Sequence, residues 1–320
     1  MESQEIKVCG DFAIVCDGAC DIPERFFVDH QVRMVPFHVR LGSQEFLDRK
    51  EDIPEDFYGR LSVKRELPRT SYPSVAEFGE VYQDLIDGGC TKILSVHLSS
   101  QLSGSYQSAL SAAADFQDQA DIAVIDSQTA SAAEGIMVAE AVSMREAGCS
   151  FEDVCCHVKI LAETTAVYFI PTKQGTLTQT SSSGRSILGR FHRMMDSFLD
   201  MYFLEEIGDS GNLEFLGSAP DLKAASGRLA RLMSRKSHAL GNILYVELFA
   251  GDKLTLKQME KPLDTNEFKS VCAGVAPINA CETIKAGIGS VGVALIPENV
   301  LFSSEFIRTQ VWNSLDRRFM

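Results

Sequence analysis

Hydroxyl groups crowd one short stretch of the chain. Between His97 and Ala114 the sequence reads HLSSQLSGSYQSALSAAA, with Ser99, Ser100, Ser103, Gly104 and Ser105 close together. The alternating run KILSVHL (Lys92–Leu98) before it predicts a strand, and Ala109, Leu110 and Ala112–Ala114 predict a helix after it. The start of such a helix carries unpaired N–H groups and a partial positive charge, which suits an anion. Hydroxyls add neutral donors without the desolvation cost of a buried lysine. A second hydroxyl pair, Thr70 and Ser71 in PRTSYPS, also leads into a helix. A small carboxylate or phosphate site is therefore expected from Thr70, Ser71, Ser103 and the Gly104 amide, with Ser99 at the strand end. The same residue types also serve as plain helix and turn caps.

Other chemistries have less support. There is no G-x-S-x-G elbow, and the six histidines lack metal spacing such as H-x-x-x-H. Nine cysteines, an odd number without any C-x-x-C, give no disulfide framework and fit small buried thiols in a reducing compartment. A zinc site from Cys16, Cys20 and a distant histidine is the weaker reading. GIGSVG (Gly287–Gly292) fits G-x-G-x-x-G, but an apolar run and Pro297 follow where a dinucleotide fold needs a helix. Its glycines are expected to permit close backbone approach. No cofactor is expected.

The elements that must position the hydroxyls follow from periodicity. Strands are expected at Phe12–Cys16, Val32–Leu41, Lys92–Leu98 and Asp121–Asp126, alternating with helices. Ser74 and Glu77 form an S-x-x-E capping box. Phe78, Val81, Tyr82, Leu85 and Ile86 then mark a helical face that Gly88-Gly89 ends. A further helix is expected over Ala130–Ala147. Past residue 165 the texture changes, with strands at Val167–Ile170, Met201–Ile207, Leu213–Gly217, Ile243–Phe249 and Gly292–Ile296. DSGNLEF (Asp209–Phe215) reads as a hairpin, and a helix capped by Ser218 carries Leu222, Leu229, Leu232 and Met233. The fold class is thus α/β: a doubly wound, mainly parallel domain over 1–164, then a smaller α+β domain over 165–297. Residues 298–320 form a helical extension, with Ser304 as cap and Ile307, Val311, Leu315 and Phe319 on one stripe beside Trp312. It is expected to dock on its own body, with a homodimer contact as the alternative.

At 320 residues, 45% hydrophobic and 23% charged, the chain has an ordinary folded profile. Its net charge of −14 disfavours nucleic acid and anionic membranes as partners. No signal peptide and no membrane-spanning run is apparent, so a cytoplasmic location is expected.

AIVCDGACDIP (Ala13–Pro23), PRTSYPS, SSQLSGSYQSA (Ser99–Ala109), IAVIDSQTAS (Ile122–Ser131) and KAGIGSVG (Lys285–Gly292) occur in DegV order. From about residue 12 to 297 the chain resembles the DegV family of bacterial fatty-acid-binding proteins, as a divergent member. The resemblance implies a single long-chain fatty acid, its carboxylate in the cleft and its tail in an apolar tunnel of the second domain. It implies presentation to a separate fatty acid kinase, which makes the acyl phosphate for phospholipid synthesis, and so a binding subunit rather than an enzyme. Thr70, Ser103 and Gly104 would contact the head group, with Gly287 opening the family's G-P-G. Arg185 in SSSGRS matches the arginine of a K-G-G-R-I motif associated with the kinase. Burial of about 14 methylenes at roughly 0.8 kcal/mol each gives a gross gain near 11 kcal/mol, so the tail dominates affinity and the hydroxyls orient.

Three positions depart from the family pattern. Lys285 replaces the histidine two residues before G-P-G, Ile288 replaces its proline, and K-G-G-R-I has become Ser182–Ser186. Lysine can still pair with a carboxylate, as a point charge. Two other readings compete. One is a serine-dependent hydrolase or acyl transferase using Ser103 with Asp126 or a histidine. The other is a binder of a different small anion countered by Lys285.

Overall fold

A computed structural model describes residues 12–63, 68–172, 201–208, 210–264 and 268–312. The N-terminal half is built on a parallel sheet of β1 (Ala13–Asp17), β2 (Val32–Val35), β6 (Lys92–His97) and β7 (Asp121–Asp126), in the order β2-β1-β6-β7. The expected Val32–Leu41 strand is two strands. Pro36 has no N–H for a ladder, and the chain turns there. β3 (His38–Leu41) leaves the parallel sheet and pairs antiparallel with β4 (Gln44–Leu47) and β5 (Arg69–Ser71), with Val39 opposite Thr70. Neither β4 nor β5 is apparent from periodicity, because each is short and half exposed.

Helices cover both faces of the parallel sheet. Among them, α1 spans Glu24–Asp29 and α2 Phe57–Ser62, followed by α3 (Val75–Asp87) and α4 (Ser105–Ala114). The Ser74–Glu77 capping box forms, and Phe78, Tyr82 and Leu85 are buried beneath α3. α3 and α4 share one core with the outer face of the sheet. On the other face, α5 (Ala132–Glu146) is buried at every residue except Glu146 and is followed by α6 (Phe151–Ala162). A helix apolar or small all round belongs inside a protein. α5 meets β1 and β6 on one side and strands of a second large sheet on the other. Its small residues allow that approach: a Cβ on Gly135 would stand 2.3 Å from the Cys20 carbonyl oxygen.

The second large sheet contains β8 (Ala166–Ile170), β9 (Tyr202–Ile207), β10 (Leu213–Ala219), β11 (Ile243–Phe249), β12 (Ser270–Pro277) and β13 (Val291–Pro297). Their order is β10-β9-β8-β13-β11-β12, with β9 and β10 forming the expected antiparallel hairpin. β12 escapes sequence detection because Gly274 and small residues interrupt its alternation. The outer face is covered by α7 (Leu222–Leu240) and α8 (Lys253–Asp264), while α9 (Ala280–Ala286) leads into β13. α7 is capped by Asp221, whose side chain accepts from Ala224 N; Ser218 instead lies in β10. The inner face shares one continuous core with α5 and the parallel sheet.

After β13 the described chain is a strap rather than a regular α-helix. A short turn capped by Ser303, not Ser304, runs into a π-helical turn over Ile307–Val311. Ile307, Val311 and Trp312 are buried in the protein's own core. Leu315 and Phe319 lie outside the described residues. Buried Glu140 accepts from Phe302 N at 2.5 Å and Ser303 N at 3.1 Å, fixing the strap to α5. Among the described residues, no helix is long and apolar enough to cross a membrane.

Candidate functional site

The serine-rich loop is pinned from several sides. β1 ends on Asp17, fully buried, whose carboxylate accepts from Ala19 N (3.1 Å), Leu98 N (3.2 Å) and Ser105 Oγ (2.5 Å). Asp126, at the end of β7, accepts from Ser100 N and Gln128 N. Ser99 Oγ donates to Gly211 O at 2.7 Å, tying the loop to the β9–β10 hairpin of the second sheet. Beneath the loop, Ser95 Oγ and His97 Nε2 share a 2.6 Å hydrogen bond, and His97 Nδ1 lies 3.4 Å from Asp17 Oδ2. That order resembles a serine hydrolase triad, but all three residues are sealed from solvent and Tyr82 OH bonds Ser95 as well. Ser103 Oγ accepts from Ser105 N, and among the described residues no histidine, lysine or carboxylate is hydrogen-bonded to it.

A cavity of about 480 Å³ lies at the seam between the two large sheets. That is within the roughly 300–1,000 Å³ span of small-molecule sites. Leu98, Leu102 and Ala130 wall it from the first half, and Phe169, Ile207 and Leu213 from the second. The apolar space therefore sits between the halves, whereas the resemblance implies a tunnel inside the second. Thr70, Arg69 and Lys285 supply hydroxyl and cationic groups to the same wall, and Glu205 and Glu282 supply carboxyls.

The expected site residues divide accordingly. Thr70 and Lys285 reach the cavity together. Ser71 is exposed on β5. Ser103 Oγ accepts from Ser105 N just before α4, whose N-cap is Gly104, and the ring of Tyr72 lies against Gly104, so tightly that no Cβ would fit there. Gly287 ends α9 with φ +93°, and Gly289 follows at φ +82°. A helix thus precedes GIGSVG and a strand follows it, the reverse of a dinucleotide fingerprint. Arg185 lies outside the described residues.

α9 carries the part of the site that sequence reading missed. Asp48, after β4, accepts from Ala280 N (3.0 Å) and Cys281 N (2.7 Å), and Asp21 accepts from Asn279 N (2.9 Å). Two carboxylates from the first half therefore seat the first turn of this helix. Three residues apart on that helix, Glu282 and Lys285 face one way. Lys285 Nζ sits 5.9 Å from the centre of the Phe37 ring, a cation–π contact. Their i, i+3 spacing in ACETIKA was the available signal.

Burial dominates the electrostatics here. Desolvation pushes the carboxyl of Glu282 well above its ordinary range, and nearby Asp21 adds to the shift while Lys285 opposes it. Asp21 is pushed up to about 7, first by desolvation, although Ser131 and the Asn279 amide hydrogen-bond to it. Asp48 is raised more modestly, because two backbone N–H groups offset its burial. Glu134 on α5 is fully buried without a hydrogen-bond partner and is also pushed well up by desolvation. The cavity wall thus presents the Thr70 hydroxyl, the cations of Arg69 and Lys285, and in Glu282 an acid that favours its neutral form.

A doubly wound parallel sheet joined to a larger mixed sheet, with an apolar cavity between them, defines an α/β protein with a cavity of small-molecule size at its seam. Residues 11–298 match the family model described as "Uncharacterised protein, DegV family", and the chain belongs to the DegV family. A DegV domain-containing protein of Clostridium acetobutylicum is 23% identical over 290 residues, 89% of this chain and 99% of its own. Protein DegV of Bacillus subtilis is 29% identical over 161 residues, 50% of this chain and 57% of its own. Among solved structures, a DegV family protein of Thermus thermophilus described as fatty acid binding is 24% identical. It has a TM-score of 0.78 and coverage of 90% of this chain and 99% of its own. A stearic acid-binding protein of Eubacterium ventriosum gives a TM-score of 0.76 at 23% identity, covering 90% and 98%.

Proposed function

We propose that the protein binds one long-chain fatty acid, with its alkyl tail in the seam cavity and its carboxylate near Thr70 and Lys285. The carrying observation is the seam cavity: its walls are apolar on both sides, and the Thr70 hydroxyl and the Arg69 and Lys285 cations open onto it. Ser103 and the Gly104 amide stand next to Leu102 on the same loop and complete the head-group end once the Tyr72 ring moves off Gly104. The relatives described as binding fatty acids support this reading. In it the protein is a carrier that presents the acid to a separate fatty acid kinase, which Arg185 of the SSSGRS run would engage.

Native mass spectrometry of the purified protein tests the reading. A co-bound mass equal to a long-chain fatty acid, or its gain on adding palmitate or oleate, is expected. Ala130→Phe, which places a ring where the tail would run, should abolish that gain while the protein remains folded. A ligand-free spectrum with no gain from either acid refutes the proposal.

A further inference from the structure

The seam cavity contains a buried acid whose chemistry the fatty-acid reading leaves unused. Glu282 lies on the cavity wall, is 8% exposed, and its Oε2 has no hydrogen-bond partner. One turn further along α9, Lys285 opens onto the same space and has no carboxylate within ion-pair distance among the described residues. An unpaired ammonium beside an unpaired carboxyl oxygen is an incomplete arrangement. A ligand carboxylate completes it: one oxygen faces the ammonium and the other takes an O–H from a protonated Glu282.

We propose that Glu282 is a head-group residue that donates its O–H to the bound carboxylate, so that the fatty acid anion enters the cavity together with one proton. This rests on the fatty-acid reading above and adds the protonation state of the site to it. No covalent bond forms between ligand and protein: where Glu282 is ionised in the ligand-free protein, a solvent proton adds to its carboxylate as the ligand enters, and the ligand anion accepts a hydrogen bond from the resulting O–H. An ionised Glu282 would instead stand beside the ligand as a second anion in a dry site, where like charges disfavour each other. Its surroundings supply little relief. Asp21 after β1 shares a side-chain hydrogen bond with Glu282, so the ligand carboxylate competes with it for the Glu282 proton. Asp48 after β4, Glu134 on α5 and Glu205 on β9 are also acids, Cys281 on α9 is a neutral thiol, and the cations are Lys285 and the exposed Arg69. The upward displacement of Glu282 agrees with a donor role. Buried carboxylic acids held neutral as hydrogen-bond donors are an established device.

Calorimetric titration with dodecanoate, below its micellar concentration, tests this across a pH range of about 6 to 9. Dodecanoate is an anion throughout that range, so any proton taken up belongs to the protein. Affinity should fall by up to about tenfold per pH unit at the alkaline end. The heat should change with the buffer's ionisation enthalpy. Dodecanol, with the same tail and no charge, should bind with a flat profile. Glu282→Gln keeps a donor and should flatten the dodecanoate profile. Glu282→Leu exchanges a desolvated acid for an apolar side chain, a change expected to be tolerated. It should flatten the profile, lower dodecanoate affinity several-fold and leave dodecanol unaffected.

A wild-type dodecanoate profile as flat as that of dodecanol overturns the inference. So does a slope that survives in either variant. Failure of wild type to bind either ligand at any pH overturns the fatty-acid reading itself, which separates the two failures.

Discussion

Asp17 is the residue on which the geometry of the serine loop converges, and Asp17→Ala is the perturbation that tests this. Its carboxylate accepts from Ala19 N, Leu98 N and Ser105 Oγ at 3.1, 3.2 and 2.5 Å, and it is fully buried. Hydrogen bonds to a charged acceptor contribute about 1.5–3 kcal/mol each, and a buried donor left alone costs about 1–3 kcal/mol. The Ser105 hydroxyl can rotate to another partner, and removing a desolvated charge offsets part of the loss. The two backbone N–H groups cannot rotate, so a net loss of about 3–5 kcal/mol is expected, at the severe end for single substitutions. Urea denaturation measures it as a lower midpoint at unchanged slope. Asp17→Asn, which keeps one acceptor oxygen, should lose less. A loss below about 1 kcal/mol in Asp17→Ala would show that the loop is held by its neighbours and would refute the reasoning.

Trp312 is 3% exposed, and its Nε1 donates to the Asp21 carbonyl at 3.1 Å. Trp312→Ala should therefore lower stability by about 3–5 kcal/mol, read as a drop in melting temperature; an unchanged melting curve would mean that the strap only lies on the surface. The acid cluster sets a pH dependence whose sign follows from the direction of its shifts. Asp21 titrates near 7 in the folded protein against an ordinary 3.8, and Glu134 and Glu282 are displaced the same way. Between those values the folded state holds protons that the unfolded chain has released. The contribution is thus full below the ordinary carboxyl pKa and is lost as pH rises through the folded one, at up to about 1.4 kcal/mol per pH unit per group. Half-buried Glu77 and exposed Glu152, which are lowered, lean weakly the other way. Urea midpoints should fall from about pH 5 to pH 8, and Asp21→Asn should reduce the slope; midpoints that rise over that window would contradict the assignment.

The sequence discloses some of these features far better than others, for physical reasons. Local chemistry carries the first sheet and the capping box: short apolar runs between turn residues, and Ser74 three residues before Glu77, need no knowledge of the rest of the fold. α5 is visible as a helix, but its place between two sheets is not, since an all-round buried helix has no face to point with. β12 and β5 are invisible because partners far along the chain, β11 and β3, supply their ladders. At the site, Thr70 and Lys285 are legible by residue type and reach the same cavity. Ser99 is legible as a hydroxyl, yet its Oγ is engaged by Gly211, 112 residues away, a contact that local pattern cannot foretell. Glu282 fails for the opposite reason: a glutamate one turn from a lysine resembles a solvated ion pair until burial separates them.

The buried acids of this strongly acidic chain are not simply a cost that the rest of the fold overcomes. Asp48 and Asp21 take the amides of Ala280, Cys281 and Asn279, so first-half carboxylates satisfy groups of the second half that would otherwise be orphaned. The same contacts fix the azimuth of α9, and with it the direction of Glu282 and Lys285. If Asp48 were replaced by a neutral acceptor, α9 could still be capped, yet the longer-range attraction between the Asp48 carboxylate and the Lys285 ammonium would be lost. The negative charge at the start of α9 therefore has two consequences that cannot be separated by moving one residue. It joins the halves of the protein, and it sets Lys285 at the edge of an apolar cavity, where the proposed anionic head group would meet it.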